Sequence, residues 1–360
     1  MKRSKIYPHD VLVAIVGATI GQTGLVTSAY AEYNTNQAIA IIRPENEIVA
    51  NYLAIVLETK ICQLQLERLK GGGARDNLDL HEVKVIKIPK ITNQVLKYCN
   101  EILNGLKTLR LQSESFYSQA ENLLLEELGL KDYKTKEELT CVVDFSEIRE
   151  SDRIDAEYFQ SKYRSLTEVV KRFKHKTLAE LGERIKTKIK INPEQIYKYI
   201  EISDIDISSG EAKFNEILAK ELPVSAQIPI KGGELIVSKV RPTRGAISIL
   251  PEDFNDNFVC SSAFSVFEVD KGLKEYLFIV LRSVVGNLQL EKPTTGTSYP
   301  TIIDQDIENI LVPILPKTTQ QKIAYLVRRS HRARMDAKSL LEEAKRKVEE
   351  IVEKGGSEKI

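Results

Sequence analysis

The chain repeats itself. His9-Asp10-Val11-Leu12-Val13-Ala14-Ile15-Val16-Gly17-Ala18-Thr19-Ile20-Gly21 aligns with Gly233-Glu234-Leu235-Ile236-Val237-Ser238-Lys239-Val240-Arg241-Pro242-Thr243-Arg244-Gly245 at a shift of 224 residues. The same shift carries Tyr52-Leu53 onto Tyr276-Leu277 and Ile55-Val56-Leu57 onto Ile279-Val280-Leu281. It also carries Leu64-Gln65-Leu66-Glu67 onto Leu288-Gln289-Leu290-Glu291, Gly72 onto Gly296 and Pro89 onto Pro313. One small slip near Asn34 to Pro44 is all the alignment needs. A duplicated unit fixes architecture before any single motif does, because each copy must bury the same apolar face in the same way.

Each copy runs into a long helical pattern. In the first, Cys99, Ile102, Leu106, Leu109, Ser113, Phe116, Ala120 and Leu123 follow steps of three and four, the seam of a coiled coil. In the second, Ile323, Leu326, Ser330, Ala333, Ala337, Leu340, Ala344 and Lys347 keep that spacing with mostly small residues. A bulky seam and a small one are expected to pack on each other as an antiparallel pair. The expected fold is α+β: two globular modules, the first N-terminally shorter, joined by two long helices. The expected boundaries are 1–92 for the first module, 93–130 for its helix and 131–152 for a charged connector. The second module follows at 153–316, its helix at 317–354 and a tail at 355–360. Within the second module, Tyr197–Ile202, Glu234–Val240, Ala246–Leu250 and Ala263–Val269 read as strands between Gly, Pro, Asn and Asp turns, and Leu273–Val285 reads as a helix. Subtracting the repeat shift from the start of the second module puts the matching start of the first about 70 residues before Met1. An upstream start, strands from another chain and a damaged module are all compatible with that.

Composition excludes several classes. With 42% apolar and 29% charged residues, the chain can bury cores of ordinary size. Lys and Arg total 52 against 51 for Asp and Glu, so any polyanion must be met by local patches. Cys62, Cys99, Cys141 and Cys260 lie too far apart for a zinc site or a stapled secreted domain, which points to a reducing cytoplasm. No apolar run reaches the roughly 18 residues of a membrane span. The triple glycine at Gly71 continues Ala74-Arg75-Asp76 and is no P-loop, and no Asp/Asn-Pro-Pro-Tyr/Phe run of an adenine methylase occurs. His9, His81, His175 and His331 stand apart without metal spacing, and Glu291-Lys292 is too common a pair to mark a nuclease.

The order and duplication of these features resemble the specificity subunit of type I restriction-modification systems. The matching residues are the Gly233–Ser238 strand with its partner at His9–Ala14, and the Val16-Gly17-Ala18-Thr19-Ile20-Gly21 turn. They also include Gly71-Gly72-Gly73-Ala74-Arg75-Asp76-Asn77-Leu78 ahead of a strand ending at Pro89, and Pro316–Ile323 leading into the second helix. The resemblance implies a non-catalytic chain in which each recognition domain reads one half of a bipartite site in double-stranded DNA. It implies that the helical pair sets the spacing and docks two methyltransferase subunits. S-adenosylmethionine would belong to those partners, and ATP and Mg to separate restriction and motor subunits. The alternatives are the target-recognition portion of a self-contained methyltransferase or nuclease, and a coiled-coil scaffold with no DNA role. From Gln94 to Gly129 the first helix spans roughly 54 Å at 1.5 Å per residue, against about 3.4 Å per base pair of duplex.

Candidate DNA contacts follow from the need for donors on turns that can enter a groove. The turn Lys239-Val240-Arg241-Pro242-Thr243-Arg244-Gly245 offers Lys239, Arg241, Thr243 and Arg244, with Thr19 and Gln22 in its uncharged repeat partner. The segment 292–299 offers Lys292, Thr294, Thr295, Ser298 and Tyr299, and its counterpart Lys70, Arg75 and Asn77. Between Lys162 and Lys190 there are ten Lys or Arg against three Glu, and Lys186, Lys188 and Lys190 alternate as on one strand face, a pattern equally expected of a protected edge strand. Arg328, Arg329, Arg332 and Arg334 form a further cluster at the start of the last helix, open to a partner subunit or to DNA.

Overall fold

The structure is a computed structural model that describes residues 4–17, 19–27, 33–70, 77–90, 92–134, 138 and 140–354. It divides into two compact units, residues 1–114 with 331–360, and residues 115–330. In chain order the first elements are β1 (Lys5–Ile6), β2 (Val11–Ala14), β3 (Thr23–Leu25), β4 (Tyr33–Asn34), β5 (Ile39–Ile42), α1 (Glu47–Val56), α2 (Lys60–Leu69) and α3 (Leu80–Lys84). The long helix α4 (Asn93–Glu127) is followed by α5 (Phe145–Ser151), α6 (Ser161–Lys171), β6 (His175–Thr177) and β7 (Gly182–Arg184). Then come β8 (Ile196–Ile200), β9 (Asn215–Leu218), β10 (Ala226–Pro229), β11 (Leu235–Ser238), β12 (Ile247–Ile249), β13 (Phe258–Ser261) and β14 (Phe264–Val269). The chain closes with α7 (Lys274–Arg282), α8 (Val284–Glu291), α9 (Asp304–Glu308), β15 (Leu311–Pro313) and α10 (Lys317–Glu353).

The repeat is visible in backbone pairing. In the first unit β2 lies between β3 and β5, all antiparallel, with Val11 opposite Leu25 and Ile42. In the second, β11 lies between β12 and β14, with Leu235 opposite Ile249 and Phe267. The first pairing keeps the 224 shift and the second shows the expected one-residue slip. The short β1–β4 ladder, Lys5 opposite Asn34, matches the end of the β10–β13 ladder, Pro229 opposite Val259. α2, α3 and α4 each begin 224 residues before α8, α9 and α10.

Side-chain bonds repeat as well, which composition alone would not produce. Tyr52 Oη donates to the Pro89 carbonyl at 2.7 Å, and Tyr276 Oη to the Pro313 carbonyl at 2.6 Å. Gln65 forms a two-way amide pair with the Lys87 backbone at 3.0 and 2.9 Å, and Gln289 forms the same pair with Leu311 at 3.0 and 2.8 Å. Asp10 accepts from Tyr7 N, and Glu234 from Lys231 N, both at 2.8 Å. Burial pushes both tyrosine phenols upward, so each stays a donor. Tyr276→Phe and Tyr52→Phe are therefore each expected to cost about 1–2 kcal/mol in urea unfolding, because a carbonyl that is buried at Pro313 and half-buried at Pro89 loses its partner. No loss in either variant would show that these twin bonds contribute nothing.

Each unit builds its own core from its sheet and parts of both long helices. In the first, Val13, Ile55 and Leu66 pack with Cys99 of α4 and with Ala344 and Val348 of α10. In the second, Phe267, Tyr276 and Phe278 pack with Leu124 of α4 and with Ile323 and Val327 of α10. The helix pairing is antiparallel: early α4 meets late α10 in the first unit, and late α4 meets early α10 in the second. Along α4, Cys99, Leu106, Ser113 and Ala120 are buried, while Ile102, Leu109, Phe116 and Leu123 are half-buried. Beyond Ala120 the buried stripe moves to Leu124 and Leu128, the drift expected of a 3.6-residue turn against a seven-residue spacing. Along α10, Ile323, Ala333, Ala337 and Ala344 are buried, Leu326 and Leu340 are half-buried, and Val348 rather than Lys347 points inward. Leu340 of α10 sits on Gly105 of α4, where a Cβ would lie 3.2 Å from its Cδ2. Large and small residues thus alternate between the helices instead of segregating to one of them.

The second unit carries elements with no counterpart among the described residues of the first. β8 and β9 extend the β10–β13 pair into a four-stranded sheet over a second core that includes Phe254, Phe258 and Phe264. β7 extends the β11 sheet at β14, and β6 pairs with β15. α6 packs on α8 and β15.

Candidate nucleic-acid interface

The turn after β11 is built around an unusual backbone. Arg241 adopts a left-handed conformation with φ of 47°, directly before Pro242, which opens a single 3-10 turn ending at Gly245. A side chain at positive φ costs about 1 kcal/mol or more, and a following proline narrows the choice further. The repeat-related position in the first unit is Gly17, with φ of 86°. The fold therefore asks for a left-handed residue here, and the second unit supplies it with arginine where glycine is unstrained.

This turn and the segment after α8 come together. Arg241 N donates to the Pro300 carbonyl at 2.7 Å and its guanidinium to the Ser298 carbonyl at 3.3 Å. The guanidinium also lies 4.7 Å from the centre of the Tyr299 ring, and Val240 and Thr295 both bridge to Thr301. Thr243, Arg244, Thr295, Ser298 and Tyr299 are exposed around this junction. The equivalent bridge in the first unit joins Val16 to Asn77.

Other expected contacts are tied into the protein. Lys239 is mostly buried and its ammonium sits 3.0 Å from Asp304, which also receives Arg184 at 3.4 Å and a short bond from Ser265. Burial pushes the Asp304 carboxyl up, but the bonds from Ser265 and Lys239 and the nearby cations outweigh it and hold it below the ordinary 3.8. Lys292 lies half-buried 4.5 Å from the Tyr158 ring, and burial depresses its ammonium pKa. Thr294 Oγ1 donates back to the Glu291 carbonyl at 2.7 Å. Arg153, paired with Asp155, donates to the Pro293 and Thr294 carbonyls at 2.9 and 3.3 Å and so anchors the start of the segment. Glu291 itself pairs with Lys162 at 2.9 Å.

The lysine row differs from its expected form. Lys186, Lys188 and Lys190 follow β7 in non-strand backbone, because only Ile185 N, bonded to Val266 O, and Ile189 N, bonded to Gln227 O, reach neighbouring strands. Both bonds are 2.9 Å, and the two isoleucines pack inward while the three lysines are exposed, so the alternation survives without a strand. In the first unit Thr19 and Gln22 are exposed, with Ala14 N bonded to the Gln22 carbonyl at 2.9 Å. Lys70 is ion-paired with Glu67, Asn77 is exposed, and Arg75 lies outside the described residues. In the late cluster Arg328 pairs with Glu275 at 3.2 Å, Arg329 lies 4.5 Å from the Phe116 ring and Arg332 pairs with Asp336 at 2.9 Å.

Sequence reasoning misses two supports of the turn. Arg282, last in the apolar run of α7, donates to the carbonyls of Gly245, Ile207 and Ser208 and to Tyr117 Oη, holding the base of the turn. A cation closing a buried helix is its only signal, and the repeat position holds Glu58, which accepts from Thr23 N and Oγ1 at 3.0 and 2.6 Å. Asp304 is the other. Its depressed pKa means its contribution to stability is present above the unfolded-chain value of 3.8 and is lost as pH falls through the lower folded value. Acid titration followed by the Tyr299 amide signal is expected to show the junction loosening only below about pH 4, and Asp304→Asn to remove that transition. Loosening nearer neutrality would contradict the arrangement.

Residues 162–332 match the family model described as the type I restriction modification DNA specificity domain. Among curated proteins, the chain is 29% identical over 131 residues to the type I restriction enzyme HindI specificity subunit of Haemophilus influenzae, covering 34% of this chain and 28% of that protein. It is 33% identical over 126 residues to the EcoBI specificity subunit of Escherichia coli, covering 34% and 25%. The aligned part thus spans only about a quarter of these relatives' length. Among solved structures, the HsdS subunit from Thermoanaerobacter tengcongensis is 31% identical, with 42% of this chain and 40% of that chain covered and a TM-score of 0.37. The type I restriction-modification S subunit from M. genitalium is 13% identical, with 96% and 83% covered and a TM-score of 0.41.

Proposed function

We propose that this chain, which carries a type I restriction-modification DNA specificity domain over residues 162–332 and resembles the specificity subunits of those systems, is a DNA-sequence reader without a catalytic centre. The second unit reads one half of a bipartite target through Arg241, Thr243 and Arg244 on one segment and Thr295, Ser298 and Tyr299 on the other. Thr19, Gln22 and Asn77 are the candidate polar contacts of the first unit. α4 and α10 set the gap between half-sites and dock two methyltransferase subunits. Methyl transfer from S-adenosylmethionine takes place in those partners, and ATP- and Mg-dependent restriction in separate motor subunits.

The observation that carries this reading is Arg241. A left-handed arginine ahead of a proline, at a position its repeat partner fills with glycine, is a backbone cost that the turn's fold does not require. A half-buried cation braced on an aromatic ring repays that cost if its guanidinium meets a groove edge or phosphate. Lys186, Lys188 and Lys190 add phosphate attraction without sequence information. The test is binding of the co-purified complex to its own methylation site across a salt series. Arg244→Ala is expected to weaken binding and to lower the slope of log affinity on log salt by about 1 if it neutralises a phosphate. An unchanged affinity and slope would remove this turn from the interface.

A further inference from the structure

The second unit presents one more segment beside the Arg241–Gly245 turn. Residues 205–212 form a tight loop, closed by a bridge between Ile205 and Ala212 and by Asp206 N donating to the Glu211 carbonyl at 2.9 Å. Inside it, one carboxylate oxygen of Asp206 accepts from Ser208 N, Ser208 Oγ and Ser209 N at 2.8, 2.6 and 2.9 Å. Gly210 N returns to the Asp206 carbonyl at 2.7 Å. Gly210 has φ of 75°, and a Cβ there would lie 2.7 Å from the Phe278 ring, so only glycine lets the loop sit this close to α7.

Arg282 ties this loop to the turn. Its guanidinium donates to the Ile207 and Ser208 carbonyls at 2.9 and 3.0 Å and also to the Gly245 carbonyl. A Cβ on Gly245 would lie 3.3 Å from the Ile207 carbonyl oxygen, so the two backbones are in near contact. The shared fold does not demand this tie, because Glu58 at the repeat position bonds Thr23 instead. What the tie holds at the surface is Ile207, 57% exposed. Single apolar residues on a surface are ordinary, but this one is fixed on a preformed loop beside the exposed Thr243 and Arg244.

Building on the DNA-reading role proposed above, we propose that Ile207 is a specificity-determining residue that reads a thymine through contact with its C5 methyl in the major groove. Phosphates, sugars and most base-edge atoms reward polar groups, and the Ile207 side chain offers none. The thymine methyl is the one apolar group that a base edge presents there. A β-branched side chain on a loop already ordered has little freedom to lose on contact. Thr243 and Arg244 supply the polar contacts that orient the duplex, and Ile207 adds discrimination by shape.

The experiment titrates the co-purified complex with duplexes carrying the motif that methylation-aware sequencing assigns to this chain. Each thymine of either half-site is replaced in turn by deoxyuridine, which lacks only the methyl. One position in one half is expected to weaken binding about fourfold, the worth of one buried methyl. Ile207→Ala is expected to weaken binding to the thymine duplex by at least that factor and to bind thymine and uracil alike at that position. Its urea unfolding is expected to match the wild type, and Arg244→Ala to keep the discrimination. A complex that binds its motif but is indifferent to every uracil, as a side chain wedged between base steps would be, overturns the proposal and leaves the DNA-reading role standing. So does an Ile207→Ala complex that discriminates as the wild type does, or a motif with no thymine in either half. A complex that does not bind the motif at all brings down the DNA-reading role and this proposal with it.

Discussion

Replacing Arg241 with glycine is expected to cost the assembled complex about 1 to 3 kcal/mol of binding to its target, roughly 5- to 150-fold in affinity, while leaving folding stability nearly unchanged. Glycine removes a left-handed strain of about 1 kcal/mol or more. It also forfeits the contact with the Tyr299 ring, worth about 0.5 to 1 kcal/mol at an exposed site. The two nearly cancel. Arg241→Ala keeps the strain and loses the contact, so it is expected to lose both binding and a little stability. Equilibrium binding beside urea unfolding separates the cases. A glycine variant that binds normally would show that the arginine is held for the fold and not for a ligand.

The second large effect concerns the helical pair. Removing one heptad from both α4 and α10 keeps the seam in register and shortens each helix by about 10 Å, close to three base pairs of duplex. The permitted gap between half-sites is expected to shrink by about that amount, with the half-sites themselves unchanged. Removing the heptad from one helix only should break the pairing that places Leu340 on Gly105 and abolish function. Methylation patterns in cells carrying each variant report the outcome, and an unaltered gap would retire the spacer role.

Much of the architecture is legible in the residues because the duplication is. Glu234–Val240, Ala246–Leu250 and Ala263–Val269 contain β11, β12 and β14, and the long helices begin within a residue of their expected starts. Less readable are the elements whose pattern is broken by local chemistry. β10 ends in Pro229, β9 exposes most of its four residues, and β13 is a short apolar run just after Asn and Asp turn residues. α5 falls inside what reads as a charged connector, because Phe145 and Ile148 give a seven-residue helix too few apolar positions to register.

The candidate interface is legible in outline only. Spacing identifies the Arg241 turn and the Thr295–Tyr299 segment but not that Val240 and Thr301 join them, since strand pairing across some 60 residues leaves no local trace. Charge alone cannot tell Lys239, bound to Asp304, from Arg244, which faces solvent. The arginine that holds the turn, Arg282, sits in an apolar helix where its five oxygen partners are far away in sequence.

The most direct test is methylation-aware sequencing of cells carrying the wild-type chain and a variant in which residues 241–245 and 295–299 are exchanged for those of a relative with a different target. The account predicts that one half of the split motif changes while the gap and the other half persist. The same motif in both strains would contradict it.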